Sequence, residues 1–317
     1  MSIDPQVQEI LNKMAELNLP PMQTLSVEAG RAQFLAMAKA RAVDPVPVGA
    51  VEELQIPGSG GKFQARVYTP QDASGPLPLL IYYHGGGHVI GSPETHDPTA
   101  RNLCAGARCK VVSVNYRKGP EHKFPAAVED AFAALEWCAA NALTLGVDAS
   151  RIAVGGDSAG GNLAAVTALM ARDAGGPALR FQLLIYPVAD YRCKSDSYER
   201  YGKGYGLLEA DTMYWFQNHY LNTPADGDDW RASPLLAPDL SGLPPAMIMT
   251  AQYDVLHDDG AALADALDAA GNSVSYEEYP GMIHGFFGFI PIVDSAVNAQ
   301  NSAITALRNA FRTGQEI

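Results

Sequence analysis

The chain has 317 residues, 47% hydrophobic and 18% charged, a balance that suits a globular protein and excludes a disordered one. With 35 acidic and 22 basic residues the net charge is −13, so the long-range field repels phosphate and excludes nucleic acid and anionic lipid as partners. At about 150 residues per domain, the length allows two units or one α/β core with a smaller appendage.

The opening residues MSIDPQVQEILNKM carry neither a basic nor an apolar leader pattern. No run approaches the roughly 18 uninterrupted apolar residues of a membrane span, so no stable membrane association is expected. Cys104, Cys109, Cys138 and Cys193 form no C-x-x-C pair and predict buried thiols. A cytoplasmic location is the expectation.

In chain order, Val7, Ile10, Leu11, Met14 and Leu17 recur at helical spacing over residues 6–18, ended by Pro20-Pro21. A second helical pattern covers about 26–41. Pro45 and Pro47 mark a joint, after which 51–56 and 62–69 read as two strands, paired antiparallel because no helix separates them. Apolar runs then follow at Leu79 to Tyr83, Lys110 to Val114, Arg151 to Val154, Phe181 to Tyr186, Ala246 to Thr250 and Val274 to Tyr279. Helical patterns fall near 95–107, 125–142, 159–174 and 258–270, the last stopped by Gly271, and another closes the chain near 293–312. Alternating strand and helix units predict an α/β fold with a mostly parallel sheet covered on both faces.

Residues 190–230 break this rhythm with Tyr191, Tyr198, Tyr201, Tyr205, Tyr214, Trp215 and Phe216, with Tyr220 and Trp230 close behind. The expected organisation is a core over 49–189 and 231–317, with a helical cap built from residues 1–48 and the insertion 190–230.

The sharpest chemical signal is Gly156-Asp157-Ser158-Ala159-Gly160, between an apolar strand and an Ala-rich helix. That setting is the one a G-x-S-x-G nucleophile elbow requires. A serine on so tight a turn sits in strained backbone, with a helix N-terminus aimed at any charge developing beside its hydroxyl. The competing reading is an ordinary helix-capping serine in a glycine-rich connection. A second signal, His84-Gly85-Gly86-Gly87, directly follows a strand and exposes amides that an oxyanion could approach. Ile90 fills the last position of a would-be G-x-G-x-x-G, and no GK[ST] occurs, so a phosphate cradle is disfavoured. His84 and His88 do not make a metal site, because a glycine run holds no helical turn between them.

A serine nucleophile needs a base, and the base an orienting acid. In the order Ser, acid, His, only His219, His257 and His284 remain as bases. His284 follows the last strand in Pro280-Gly281-Met282-Ile283-His284, whereas His257 starts a helix and His219 lies in the insertion. Asp254 follows the run ending at Tyr253, at a strand's C-terminal end. Its rivals Asp258 and Asp259 read as first-turn helix acids.

Together these motifs resemble the hormone-sensitive-lipase-like branch of the α/β-hydrolase superfamily, in particular its bacterial carboxylesterases. The likeness runs from about residue 75 onward and includes Tyr116-Arg117, Pro120-Glu121-His122, Phe124-Pro125-Ala126 and Gly156 to Asn162 beside the residues above. It implies the α/β-hydrolase fold and a carboxylesterase acting through an acyl-enzyme, while the aromatic residues at 191–230 suggest a covered apolar site of limited length and hence short- to medium-chain esters. Ser158 would be the nucleophile, His284 the base and Asp254 its acid. Gly86, Gly87 and Ala159 would supply oxyanion-hole amides, with Gly85 shaping the turn.

His88 stands where the family has a bulky aromatic, and Lys118-Gly119 replaces an apolar pair. His88, Tyr214, Trp215 and Phe216 are the expected substrate-contacting side chains, although the last three would also serve to pack the cap. The partner expected is a small-molecule ester, with no metal or organic cofactor, and pairing with a second copy of the chain stays open. The alternatives are amide hydrolysis with the same residues, or a catalytically silent small-molecule receptor on the same scaffold.

Overall fold

The computed structural model describes residues 2–40 and 44–312. Among them run eight strands: β1 Ala50–Gly58, β2 Gly61–Thr69, β3 Leu77–Tyr83, β4 Lys110–Val114, β5 Val147–Asp157, β6 Phe181–Ile185, β7 Ala246–Tyr253 and β8 Val274–Ile283. The described helices are α1 Pro5–Glu16, α2 Val27–Ala40, α3 Asp97–Ala107, α4 Ala126–Ala140, α5 Ala142–Leu145, α6 Ala159–Asp173, α7 Ser197–Tyr201, α8 Ala210–Tyr220, α9 His257–Ala269 and α10 Asp294–Arg312. The strands form one sheet in the order β1-β2-β4-β3-β5-β6-β7-β8. β2 pairs antiparallel with both β1 and β4, and the pairings from β4 to β8 are parallel.

Side-chain alternation divides the core into two layers. Leu79, Ile81 and Tyr83 of β3 and Val112 and Val114 of β4 join the layer completed by α4, α6 and α9, through Leu135, Leu163 and Leu263. Leu80 and Tyr82 of β3 and Val111 of β4 point the other way, onto Leu103 of α3 and Leu307 of α10. Both faces are therefore covered, and the central strands read as nearly unbroken apolar runs. Each large side chain taken fully out of water here contributes roughly 2 kcal/mol.

Several expected boundaries move for local reasons. α1 begins at Pro5, with the Asp4 carboxylate accepting the Gln6 amide, and stops at Glu16, ahead of Pro20-Pro21. α2 reaches Ala40, and residue 41 of the expected helix lies outside the described residues, as do 1, 42–43 and 313–317 of the expected domains. α9 ends where Gly271 takes φ +85°, its amide returning to the Asp268 carbonyl, a left-handed turn that costs glycine little. β8 runs through Pro280-Gly281 to Ile283 instead of ending at Tyr279. It tolerates proline because it is an edge strand with only β7 beside it.

The topology has one consequence for chemistry. β3, β5, β7 and β8 are parallel, so the residues just past their ends, His84, Ser158, Asp254 and His284, emerge along one edge of the sheet.

Candidate active site

Ser158 links β5 to α6 with φ +58° and ψ −119°, a conformation a non-glycine residue adopts only under constraint. The constraint is visible. Its amide donates to the Ile185 carbonyl at 2.8 Å, and its carbonyl accepts from Asn162 at 3.1 Å and from Val188 at 3.2 Å. Gly156 and Gly160 are packed so closely on the Tyr83 carbonyl that a Cβ at either would overlap it.

From β8, His284 brings Nε2 to 3.0 Å from the Ser158 hydroxyl oxygen and Nδ1 to 2.7 Å from Asp254 Oδ2. The imidazole leans on the Tyr186 ring, with centroids 4.7 Å apart. Asp254 is buried, and its other oxygen, Oδ1, accepts the Leu256 amide at 2.9 Å. Carboxylate, imidazole and hydroxyl thus lie in hydrogen-bonded series. His219 is bonded to the Trp215 carbonyl, and His257 pairs with Asp258, so neither competes for the serine.

The glycine loop after β3 lies alongside. Its Gly86 carbonyl accepts from Val89 and Ile90 at 3.0 and 2.9 Å, which curls the loop back on itself. Gly86 has φ +118°, and a Cβ there would stand 2.7 Å from the Ile90 carbonyl carbon. Ala159 is fully buried and opens α6, so its amide is among those a helix start leaves without an intrahelical partner. Gly86→Ala should lower kcat by about 10²- to 10³-fold through displacement of one amide. A steady-state assay beside a melting curve checks this, and a folded variant of unchanged kcat would contradict it.

A cavity of about 470 Å³ has Ser158, His284, Gly86 and Gly87 in its walls. α1 contributes Leu11 and Met14, α2 contributes Phe34 and Met37, and the insertion contributes Leu207, Leu208, Thr212 and Phe216. Of the four side chains expected to meet substrate, only Phe216 lies here, on Gly87, where a Cβ would overlap its ring. Tyr214 is 42% exposed and Trp215 packs on Phe216 and His219, because consecutive helical residues point about 100° apart and cannot share one face.

His88 also departs from expectation. It is buried behind the loop, stacked on Tyr220 at 4.0 Å, with Nδ1 2.6 Å from the Tyr191 hydroxyl. Burial pushes its imidazole down to about 3, against the opposing pull of the Ala159 backbone, so it is a neutral packing residue. Phe34, Met37, Tyr186, Phe287 and Ile290 line the cavity without having been expected there from sequence. Only the helical phase of α2 and the position of Tyr186 directly after β6 hinted at them.

α2 is tied to the loop by Arg31. Its Nε donates to the Val89 carbonyl at 2.9 Å and one terminal nitrogen to the Gly119 carbonyl at 2.8 Å, while both terminal nitrogens hold Glu121 at 2.7 Å. That fork holds the Glu121 carboxyl well below the usual carboxylate range.

The acids beside Asp254 differ from one another. Asp258 pairs with Arg200 and His257 near the surface. Asp259 lies in the first turn of α9 as expected, but it is buried and accepts from the Ser195 hydroxyl at 2.8 Å and the Asp190 amide at 3.3 Å. Burial, reinforced by Asp190 and Asp254 against the pull of Ser195, pushes its carboxyl up to about 7. The folded state therefore holds this proton more tightly than the unfolded chain. The associated stability is complete below the ordinary value of 3.8 and is lost as pH rises through about 7. Asp259→Asn should raise the melting temperature by several degrees at about pH 8 and by less at about pH 5. An equal shift at both values would refute this account.

With this geometry established, known proteins offer a comparison. Residues 80–288 match the α/β-hydrolase fold family. The carboxylesterase NlhH of Mycobacterium tuberculosis is 46% identical over 249 residues, 78% of each chain. The ethyl acetate hydrolase of Pseudomonas putida is 38% identical over 297 residues, 91% of this chain and 92% of that one. Among solved structures, a hyperthermophilic esterase from the archaeon Pyrobaculum calidifontis superposes with a TM-score of 0.94 at 43% identity, covering 98% of this chain and 99% of that one. No described helix is long and apolar enough to cross a membrane.

Proposed function

The chain belongs to the α/β-hydrolase fold family and is a carboxylic ester hydrolase, and from that premise we propose that Ser158 is its nucleophile, His284 its general base and Asp254 the acid that orients the base. The observation carrying this reading is the unbroken series from Asp254 Oδ2 through His284 to the Ser158 hydroxyl, at 2.7 and 3.0 Å. Ser158 Oγ attacks the ester carbonyl carbon while His284 Nε2 takes its proton. The tetrahedral oxyanion is held by the amides of Gly86, Gly87 and Ala159. Collapse breaks the bond to the alcohol oxygen, which leaves with the proton His284 returns. Water, deprotonated by the same imidazole, then attacks the acyl-enzyme and frees the acid and Ser158. Each oxyanion donor is worth roughly 3 kcal/mol in such a step.

Residues 1–48 and 190–230 serve in this reading as a cap over the core formed by 49–189 and 231–317. Support comes from the share of the cavity wall that α1, α2 and the insertion contribute. A largely apolar, covered space of about 470 Å³ favours short- and medium-chain acyl groups over long ones. The four buried, unpaired cysteines support a reducing compartment, in keeping with the cytoplasm.

The test is a series of p-nitrophenyl esters of increasing acyl length, with the matching anilide as an amide control. kcat/KM should peak at about four to eight acyl carbons and fall at least tenfold by about sixteen. A maximum at the longest chain, or faster turnover of the anilide, would overturn the substrate assignment.

A further inference from the structure

Asp157 fills the middle position between Gly156 and Ser158 and takes no part in the proton transfers above, yet three elements converge on its buried carboxylate. The Tyr82 hydroxyl, from β3, donates to Oδ1 at 2.7 Å. The Gly85 amide, in the glycine loop, donates to the same oxygen at 3.1 Å. His96, which caps α3, places Nε2 3.3 Å from Oδ2. A Cβ on Gly85 would lie 3.1 Å from the Asp157 carboxyl carbon and overlap Oδ2, so the loop is seated directly on this side chain. Burial pushes the carboxyl up, but the His96 charge and hydrogen bond, the Tyr82 hydroxyl and the His284 charge outweigh it and hold it below its ordinary value. An acceptor this well supplied is a fixed point, and it stands one residue before Ser158.

We propose that Asp157 is the positioning residue of the oxyanion hole: by accepting the Gly85 amide while its own backbone continues into Ser158, it sets the spacing between the glycine-loop amides and the nucleophile. The proposal rests on the roles given above to Ser158, Gly86 and Gly87. The loop after β3 and the turn after β5 are separate in sequence, and the bond from Gly85 to Asp157 ties the first directly to the second. Without the acceptor the buried Gly85 amide has lost its partner, a cost that drives the loop to rearrange. Displacement of the amides by a fraction of an ångström is felt where charge develops and hardly at all in ground-state binding.

The substitutions Asp157→Ala and Asp157→Leu test this, the second keeping the branch at Cγ, with bulkier methyls, while removing both acceptor oxygens. kcat should fall about 100-fold with KM within about threefold, and affinity for a trifluoromethyl ketone, whose serine adduct carries the oxyanion, should fall in parallel with kcat. Asp157→Asn, which keeps an oxygen for Tyr82 and Gly85, should recover kcat to within about fivefold of wild type. A purely structural role would lower the melting temperature without splitting kcat from KM. A folded Ala or Leu variant with kcat and inhibitor affinity near wild type overturns the proposal, as does an Asn variant impaired as badly as they are. Should neither apolar variant fold, Asp157→Ser, whose hydroxyl is too short to reach Gly85, is read by the same criteria. Wild-type turnover, measured first, tests the underlying reading separately.

Discussion

Replacing Ser158 by alanine should leave a folded protein whose turnover of a p-nitrophenyl ester is about 10⁶-fold slower, with what remains coming from bound substrate and the intact amides. The size of the loss follows from the role proposed for Ser158: without its hydroxyl no acyl-enzyme would form, and His284 would keep its place with nothing to deprotonate. Stability should change little, because the strained φ of +58° is held by backbone bonds to Ile185, Asn162 and Val188 that alanine retains. A fluorophosphonate probe should label the wild type and not the variant. If the alanine variant turned over substrate within tenfold of wild type, the nucleophile would have to be sought elsewhere.

Asp254→Asn should cost about 10⁴-fold in kcat, with KM and melting temperature nearly unchanged. The reason lies in the Leu256 amide, which donates to Asp254 Oδ1 at 2.9 Å and leaves Oδ2 to the imidazole. In the asparagine variant Leu256 still demands an oxygen, so the side-chain NH₂ turns toward His284 and donates to Nδ1. The imidazole proton is then forced onto Nε2, facing Ser158, where a bare nitrogen is needed to accept the hydroxyl proton. A loss under tenfold would mean that Asp254 does not set the tautomer.

The positions of the glycine loop, Ser158 and Asp254 were legible in sequence because each follows an apolar run, and in a parallel sheet the ends of such runs fall on one edge; His284 was picked out by chain order, since its strand is mostly polar and continues past the Pro280-Gly281 break. The cavity wall was not legible. Tyr214, Trp215 and Phe216 are equally aromatic, and only the rotation of α8 about its axis decides that Phe216 meets Gly87 while Tyr214 meets water. His88 reads as polar, and only its partners Tyr191 and Tyr220, more than a hundred residues away, make it a neutral member of the core. Asp259 reads as a helix-start acid, which it is, but its burial was not legible because its partners Ser195 and Asp190 come from the insertion. Side chains governed by their own strand could be placed from sequence, whereas those governed by a neighbour's phase could not.

The fork of Arg31 bears on how this protein can be re-engineered. Because one guanidinium from the second helix grips the Val89 and Gly119 carbonyls together, the leading segment is not a detachable accessory that could be trimmed or exchanged at will. A chimaera that imports its first forty or so residues from a relative would need to bring an arginine at this register, with Glu121 retained to meet it, or the foreign piece would sit on the hydrolytic machinery without steadying it.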